Sequence, residues 1–242
     1  MDNVSKNKIK EIKSLQQKKF RDELGLFVIE GVKMVEEAIA FIPNSIECLI
    51  HTSDYTINKS KFDFPIFLAD SKSMEQCSSL RTPNKVLVVA KQVQSEPKNE
   101  QFILALDGIQ DPGNMGTLLR LADWFGIQQI ICSHETVDCY NPKVVQASMG
   151  AILRIPIHYC ELNNYIQQSN AKVYGALLEG KNIYQEKLTL DGILLMGNEG
   201  NGISEDLLQL ITHPITIPKF GHAESLNVSV ATGIILSEFF RV

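Results

Sequence analysis

Short apolar runs alternate with amphipathic stretches along most of this chain, a pattern that predicts an α/β protein. In the first 91 residues it predicts a helix over 4–19, on which Ile9, Ile12 and Leu15 form a narrow stripe, and then a strand over 26–29. A helix over 32–41 follows with Val35, Ala38 and Ile39 facing inward. Strands at 46–51 and 65–68, a short helix at 71–80 and a strand at 86–90 complete a small α/β domain over 1–91. The segment KQVQSEPKNEQ is polar and aperiodic with one proline, so residues 92–101 read as a linker.

From Phe102 onward the alternation resumes. Strands are predicted near 102–107, 129–132, 155–158, 171–177, 192–196 and 215–217, with helices over 115–125, 142–149, 162–168, 204–210 and 225–240. Pro142 after Asn141 is a good helix start, because proline suits the first helical position and asparagine the cap. Continuous apolar strands separated by helices imply a mainly parallel sheet covered on both faces. These elements by themselves describe an ordinary doubly wound domain over 102–242.

Composition changes little in this picture. The chain has 242 residues, 44% of them hydrophobic, enough to bury a sizeable core in one large or two small domains. No apolar run approaches the roughly 18–20 residues that cross a bilayer, and the N-terminus is basic and polar, so a cytoplasmic protein is expected. The five cysteines, Cys48, Cys77, Cys132, Cys139 and Cys160, are scattered without a CxxC pair, so neither a disulfide framework nor a metal site is indicated.

The net charge of −5 argues at first against a nucleic-acid partner. Distribution outweighs the sum. Residues 5–21 carry Lys6, Lys8, Lys10, Lys13, Lys18, Lys19 and Arg21 against one acid, Glu11. A solvated helix face explains such a run as simply as a phosphate-binding one.

Three stretches of the second domain carry polar residues where a structural element would be apolar. LDGIQDPGNMGTLLRLADWFG is a strand, a turn and an amphipathic helix with Leu118, Leu119, Ala122 and Phe125 on its buried face; Asn114 lies at its mouth and Arg120 on its polar side. Trp124 follows the helix face and reads as packing. ILLMGNEGNGIS is a buried strand running into a glycine-containing loop, where a backbone can approach a ligand closely. ITIPKFGHAESLNVSVATGIILSEFF is a strand, a loop and a very apolar helix for which Ser225 is the candidate cap, with Asn227 and Ser229 in its first turns. Free amides and side-chain oxygens at a helix start suit a polar ligand.

At DPGNMGTLLR, LLMGNEGNGIS and IPKFGHAESLNVSVA, in this order and spacing, the chain resembles the SpoU (TrmH-like) family of RNA ribose 2′-O-methyltransferases within the SPOUT superfamily. The resemblance covers Phe102 to the C-terminus. It implies a SPOUT domain with a mainly parallel sheet and a C-terminal trefoil knot from about Gly192 onward. It also implies S-adenosylmethionine as cofactor, with no metal, and a homodimer whose site is shared between subunits. FVIEGVKMVEEAI, placed before it, looks like the substrate-binding domain of ribosomal-protein L30e type that often precedes the methyltransferase domain. RNA is the implied partner, with ribosomal RNA favoured over transfer RNA.

Carried over by motif, Arg120 takes the place of the family's essential arginine, and Asn114, Glu199, Ser225 and Asn227 match the remaining polar positions. A guanidinium is a poor base at neutral pH, while clamping a phosphate or a developing alkoxide suits it. Gly197, Ile217 and Leu226 match the positions whose main chain reads adenine, with Asn198, Gly200 and Pro218 beside them. At Gly197 a side chain would hold the adenine away. Lys219 departs from the family pattern where an apolar residue is frequent.

Two other readings stand beside this one. A non-catalytic RNA-binding protein with a degenerate second domain would lack residues such as Asn114, Arg120 or Asn227, all present here. A dinucleotide-binding enzyme would carry GxGxxG directly after its first strand, where this chain has DGIQDPGNMG.

Overall fold

The structure, a computed structural model, describes residues 2–58, 62–93, 96–98 and 100–241. The expected linker, 92–101, therefore lies partly outside the described residues. The chain divides into two compact units, one formed by Met1–Gln94 with Tyr140–Arg154 and the other by Ser95–Cys139 with Ile155–Val242.

In chain order the elements are α1 (Lys6–Ser14), α2 (Lys18–Leu24), β1 (Leu26–Glu30), α3 (Val32–Phe41), β2 (Ile46–His51), β3 (Ile66–Leu68), α4 (Ser71–Cys77) and β4 (Val86–Lys91). Next come β5 (Phe102–Leu106), α5 (Pro112–Trp124), β6 (Ile130–Cys132), α6 (Pro142–Ala147), β7 (Ile157–Tyr159) and α7 (Leu162–Ser169). The last are β8 (Val173–Asn182), β9 (Gly192–Met196), α8 (Glu205–Leu208), β10 (His213–Thr216) and α9 (Val228–Phe239).

The first unit is built on a four-stranded sheet of order β1-β4-β2-β3, in which β4 runs antiparallel to both its neighbours and β3 parallel to β2. The helix expected over 4–19 is two helices. The chain breaks at Leu15, whose carbonyl accepts a 2.8 Å hydrogen bond from the guanidinium of Arg21. Arg21 is only 2% exposed, so the last cation of the basic run serves the fold, while Lys6, Lys10, Lys13 and Lys19 stay exposed. Residues 140–154 belong to this unit: α6 packs on β1, and Arg154 bonds Glu37 at 2.8 Å. Gly150, at φ +94°, stands where a Cβ would overlap the Glu37 carboxylate.

In the second unit a six-stranded sheet has the order β10-β8-β9-β5-β6-β7, with every pairing parallel. β5 and β9 at its centre are buried at every position, as strands covered on both faces must be. β8 is longer than its apolar run suggests. Between Pro214 and Ile215 the partner on β8 jumps from Gly175 to Lys181, which leaves 176–180 outside the ladder. Phe239 of α9 packs against Phe102 and Tyr174 with ring centroids 4.9 Å from each, anchoring the helix on the sheet. Trp124 is 84% exposed, contrary to the expectation of packing, because it falls at the solvent side of the last turn of α5. Among the described residues no helix is long and apolar enough to cross a membrane.

Candidate active site

The first loop of the parallel sheet begins directly after β5 with Asp107, whose Oδ2 accepts a 2.8 Å hydrogen bond from the Ser204 amide. Asp107 is 8% exposed and was not among the residues expected at the site; the signal for it is a carboxylate closing an otherwise apolar strand. Asp111 caps α5 by accepting from the Asn114 amide at 2.8 Å, with Pro112 at the first helical position. This puts the Asn114 side chain at the helix mouth.

The loop after β9 folds back on itself. The backbones of Asn198 and Gly202 exchange hydrogen bonds of 2.9 and 3.0 Å. Asn198 also accepts from the amides of Gly200 and Asn201 at 2.8 and 3.0 Å, and donates to the Gly108 carbonyl at 2.6 Å. A Cβ on Gly197 would stand 2.3 Å from the Gly202 carbonyl carbon and 2.4 Å from the Ile203 nitrogen. Glycine is required here so that the two limbs of the loop can meet, which is a different reason from clearance for a ligand.

The third stretch corrects one expectation. The N-cap of α9 is Asn227: its side chain accepts from the amides of Ser229 and Val230, and the helix starts at Val228. Ser225 lies two residues before the cap in an exposed, irregular segment. Asparagine competes well for the cap position because its carbonyl oxygen reaches the second and third amides of the helix.

A cavity of about 850 Å³ opens between the loop after β9, the segment after β10 and the start of α9. Its size is that of a small-molecule site. Gly197, Ile217, Leu226, Asn198, Gly200 and Pro218 all line it, as do Glu199 and Ser225. The main-chain N–H groups of Gly197, Ile217 and Leu226 have no hydrogen-bond partner among the described residues. Leu177, Ile203 and Ile235 supply apolar wall. Unpaired amides beside apolar surface fit a heteroaromatic ring such as adenine.

Asn114 and Asn227 do not line the cavity but meet at its edge. Asn227 Nδ2 donates to Asn114 Oδ1 at 2.8 Å, and Asn114 Nδ2 donates to Glu199 Oε1 at 2.7 Å. Three distant stretches of sequence are thus joined through three side chains. Arg120 is not brought to them. It is exposed, outside the cavity lining, and has no hydrogen bond or ion pair to the described residues.

A second cavity, of about 350 Å³, shares Asn198, Asn201 and Gly202 with the first. Its carboxylates, Asp107, Glu135, Glu161 and Asp206, make it unsuited to a phosphate-bearing ligand. Among the described residues no group of three or more His, Cys, Asp or Glu is placed to hold a metal ion.

A parallel α/β domain with a cavity built from late loops, and a polar cluster at its rim, has the arrangement of a small-molecule site. The model of the SpoU rRNA Methylase family matches residues 101–237, and the chain belongs to that family. The model of an MRM3-like substrate binding domain matches residues 6–88. The 23S rRNA (guanosine(2553)-2′-O)-methyltransferase RlmP of Bacillus subtilis is 29% identical over 240 residues, covering 98% of this chain and 97% of that protein. The 23S rRNA (guanosine-2′-O-)-methyltransferase RlmB of Escherichia coli is 34% identical over 59% of this chain and 61% of its own length. Among solved structures, a TrmH-family protein of Porphyromonas gingivalis is 36% identical with a TM-score of 0.87, covering 98% of both chains. An AdoMet-bound rRNA methyltransferase of Sinorhizobium meliloti is 29% identical with a TM-score of 0.86, covering 100% of this chain and 97% of that one.

Proposed function

We infer that this protein transfers a methyl group from S-adenosylmethionine to a ribose 2′-hydroxyl of ribosomal RNA. The observation that carries the reading is the meeting of Asn114, Glu199 and Asn227 at the rim of a cavity lined by Gly197, Ile217 and Leu226. The names of RlmP and RlmB favour a guanosine of 23S rRNA over transfer RNA. Such work belongs in the cytoplasm.

S-adenosylmethionine supplies, when bound, a methyl group already activated on a sulfonium centre. The chain's own residues must bind, orient and exclude water. The amides of Gly197, Ile217 and Leu226 hold the adenine, with Asn198, Gly200 and Pro218 shaping the loops around it. Leu177, Ile203 and Ile235 keep water from the cavity. Glu199 accepts from a ribose hydroxyl, and Ser225 contributes a hydroxyl to the exposed side of the site.

Arg120 completes the site of a partner subunit, where it clamps phosphate or developing alkoxide. Its exposure and lack of a partner among the described residues support this, as do Trp124 and Val230, exposed apolar residues on α5 and α9 that a homodimer would cover. A trefoil knot over the region from about Gly192 belongs to the same reading. It is supported by α9, which lines one cavity with both the loop after β9 and the segment after β10. Residues 1–91 would select the RNA and 102–242 perform the transfer, with 92–101 between them; matches at 6–88 and 101–237 support that division.

Calorimetry with S-adenosylmethionine, followed by transfer of labelled methyl to unmodified 23S rRNA, tests the reading. Micromolar binding and a single 2′-O-methylated nucleotide are expected. Binding of RNA without binding of S-adenosylmethionine would replace it with a non-catalytic RNA-binding protein.

A further inference from the structure

The orientation of an asparagine amide is usually ambiguous, because oxygen and nitrogen have nearly the same shape. Here the start of α9 removes the ambiguity. Two main-chain N–H groups, of Ser229 and Val230, approach one atom of the Asn227 side chain at 3.0 and 3.3 Å. A main-chain amide only donates, so that atom is the oxygen and Nδ2 points away from the helix. Nδ2 then faces Asn114, whose near atom must be an acceptor, Oδ1. This turns Asn114 Nδ2 toward Glu199 Oε1. The polarity set at the first turn of α9 therefore propagates through two side chains.

The Ser229 hydroxyl makes the shortest contact in the cluster. Its Oγ lies 2.6 Å from Asn227 Oδ1 and 3.5 Å from Asn114 Oδ1, and the residue is 8% exposed. Its one proton faces two acceptor oxygens. With an apolar side chain at this place, Asn227 Oδ1 would lose its shortest donor, and the two amides of α9 alone would hold the orientation that Asn227 passes to Asn114. Glu199, at the other end, uses Oε1 to accept from Asn114, while Oε2 has no hydrogen-bond partner among the described residues. Glu199 lines the larger cavity.

We propose that Ser229 is a positioning residue for methyl transfer: with the first amides of α9 it holds a one-way hydrogen-bond chain, Asn227 to Asn114 to Glu199, that ends in a carboxylate oxygen open to the ribose hydroxyl. The proposal rests on the methyltransferase reading for its consequence, and on geometry alone for the chain. The chain fixes which oxygen of Glu199 is engaged by Asn114. Asn114 and Asn227 act through Glu199 on this view.

The test compares wild type with Ser229→Ala, Ser229→Thr and Asn227→Asp, using the full-length protein. Asn227→Asp preserves the helix cap, since aspartate accepts from the same amides, but it removes the donor to Asn114. Its thermal midpoint should match wild type while kcat on RNA falls about a hundredfold, with S-adenosylmethionine affinity unchanged. Ser229→Ala should lose about tenfold in kcat, Ser229→Thr should restore most of it, and Ser229→Ala added to Asn227→Asp should cost nothing more.

A second readout needs no activity. The Asn114 side-chain amide proton, followed by NMR, should shift as the Glu199 carboxylate is titrated in wild type and in Ser229→Thr, and should lose that response in Asn227→Asp. An Asn227→Asp variant that methylates within twofold of wild type and keeps the NMR response would overturn the chain. So would a Ser229→Ala loss that threonine does not rescue. If the NMR pattern holds while wild type methylates no RNA, the chain stands and the methyltransferase reading is the part that fails.

Discussion

Asn198 Nδ2 donates to the Gly108 carbonyl at 2.6 Å across 90 residues of sequence, joining the loop after the first strand of the parallel sheet to the loop after β9. The same side chain accepts from two amides of its own loop, so it is a fastener of the cavity wall before it is a contact for any ligand.

Asn198→Ala should therefore weaken S-adenosylmethionine binding about tenfold through a loosened loop, since a lost hydrogen bond of this kind is worth about 1–1.5 kcal/mol. Calorimetry reads the affinity. Asn198→Asp keeps the acceptor for the two amides but sets a carboxylate against the Gly108 carbonyl, and should bind more weakly than Asn198→Ala. Equal affinity in the two variants would remove the Gly108 contact from the account.

Gly197→Ala places a methyl against the Gly202–Ile203 backbone, which has no flexible end to yield. We expect a loss of about 1–3 kcal/mol in stability and loss of cofactor binding together. Denaturant unfolding measures the first and calorimetry the second. Loss of binding with unchanged stability would mean that glycine serves ligand clearance after all.

Arg120→Ala removes an exposed side chain that has no hydrogen bond or ion pair to the described residues, so stability should stay within about 0.5 kcal/mol and cofactor affinity should be unchanged. Methyl transfer should fall by about 10²–10³. If the site is shared, mixing Arg120→Ala with Gly197→Ala subunits should regain activity that neither has alone. Absence of recovery in mixed dimers, verified by light scattering, would place Arg120 in its own subunit's site.

The buried thiols give a pH dependence of known sign. Burial pushes Cys48 and Cys77 up to about 11, with Lys8 pulling Cys48 partly back, and it pushes Cys132 well above the ordinary thiol value. In the unfolded chain these thiols ionise near 8.5, so the unfolded state loses protons first as pH rises. Stability is therefore fully present below about pH 8 and is lost progressively toward pH 11. The thermal midpoint should fall over that window, and Cys48→Ala with Cys77→Ala should flatten the fall. At pH 8 the half-buried Cys160 should alkylate first among the five.

Much of this protein was legible in its sequence. Apolar runs placed α3, β2 and β9 to the residue, because each is bounded by glycine, proline or a polar break that local chemistry alone enforces. The family resemblance of three motifs named residues that the fold brings to one cavity, and named Asn114, Glu199 and Asn227, which the fold joins by hydrogen bonds. Other features depend on contacts that exist only once the chain has folded. Arg21 leaves the basic surface because Leu15 offers it a carbonyl. Asn227, the cap of α9, meets Asn114 only because α5 packs against α9. Local pattern encodes periodicity and turns, whereas the direction of a hydrogen bond between side chains 113 residues apart exists only once the fold has brought both to the same place.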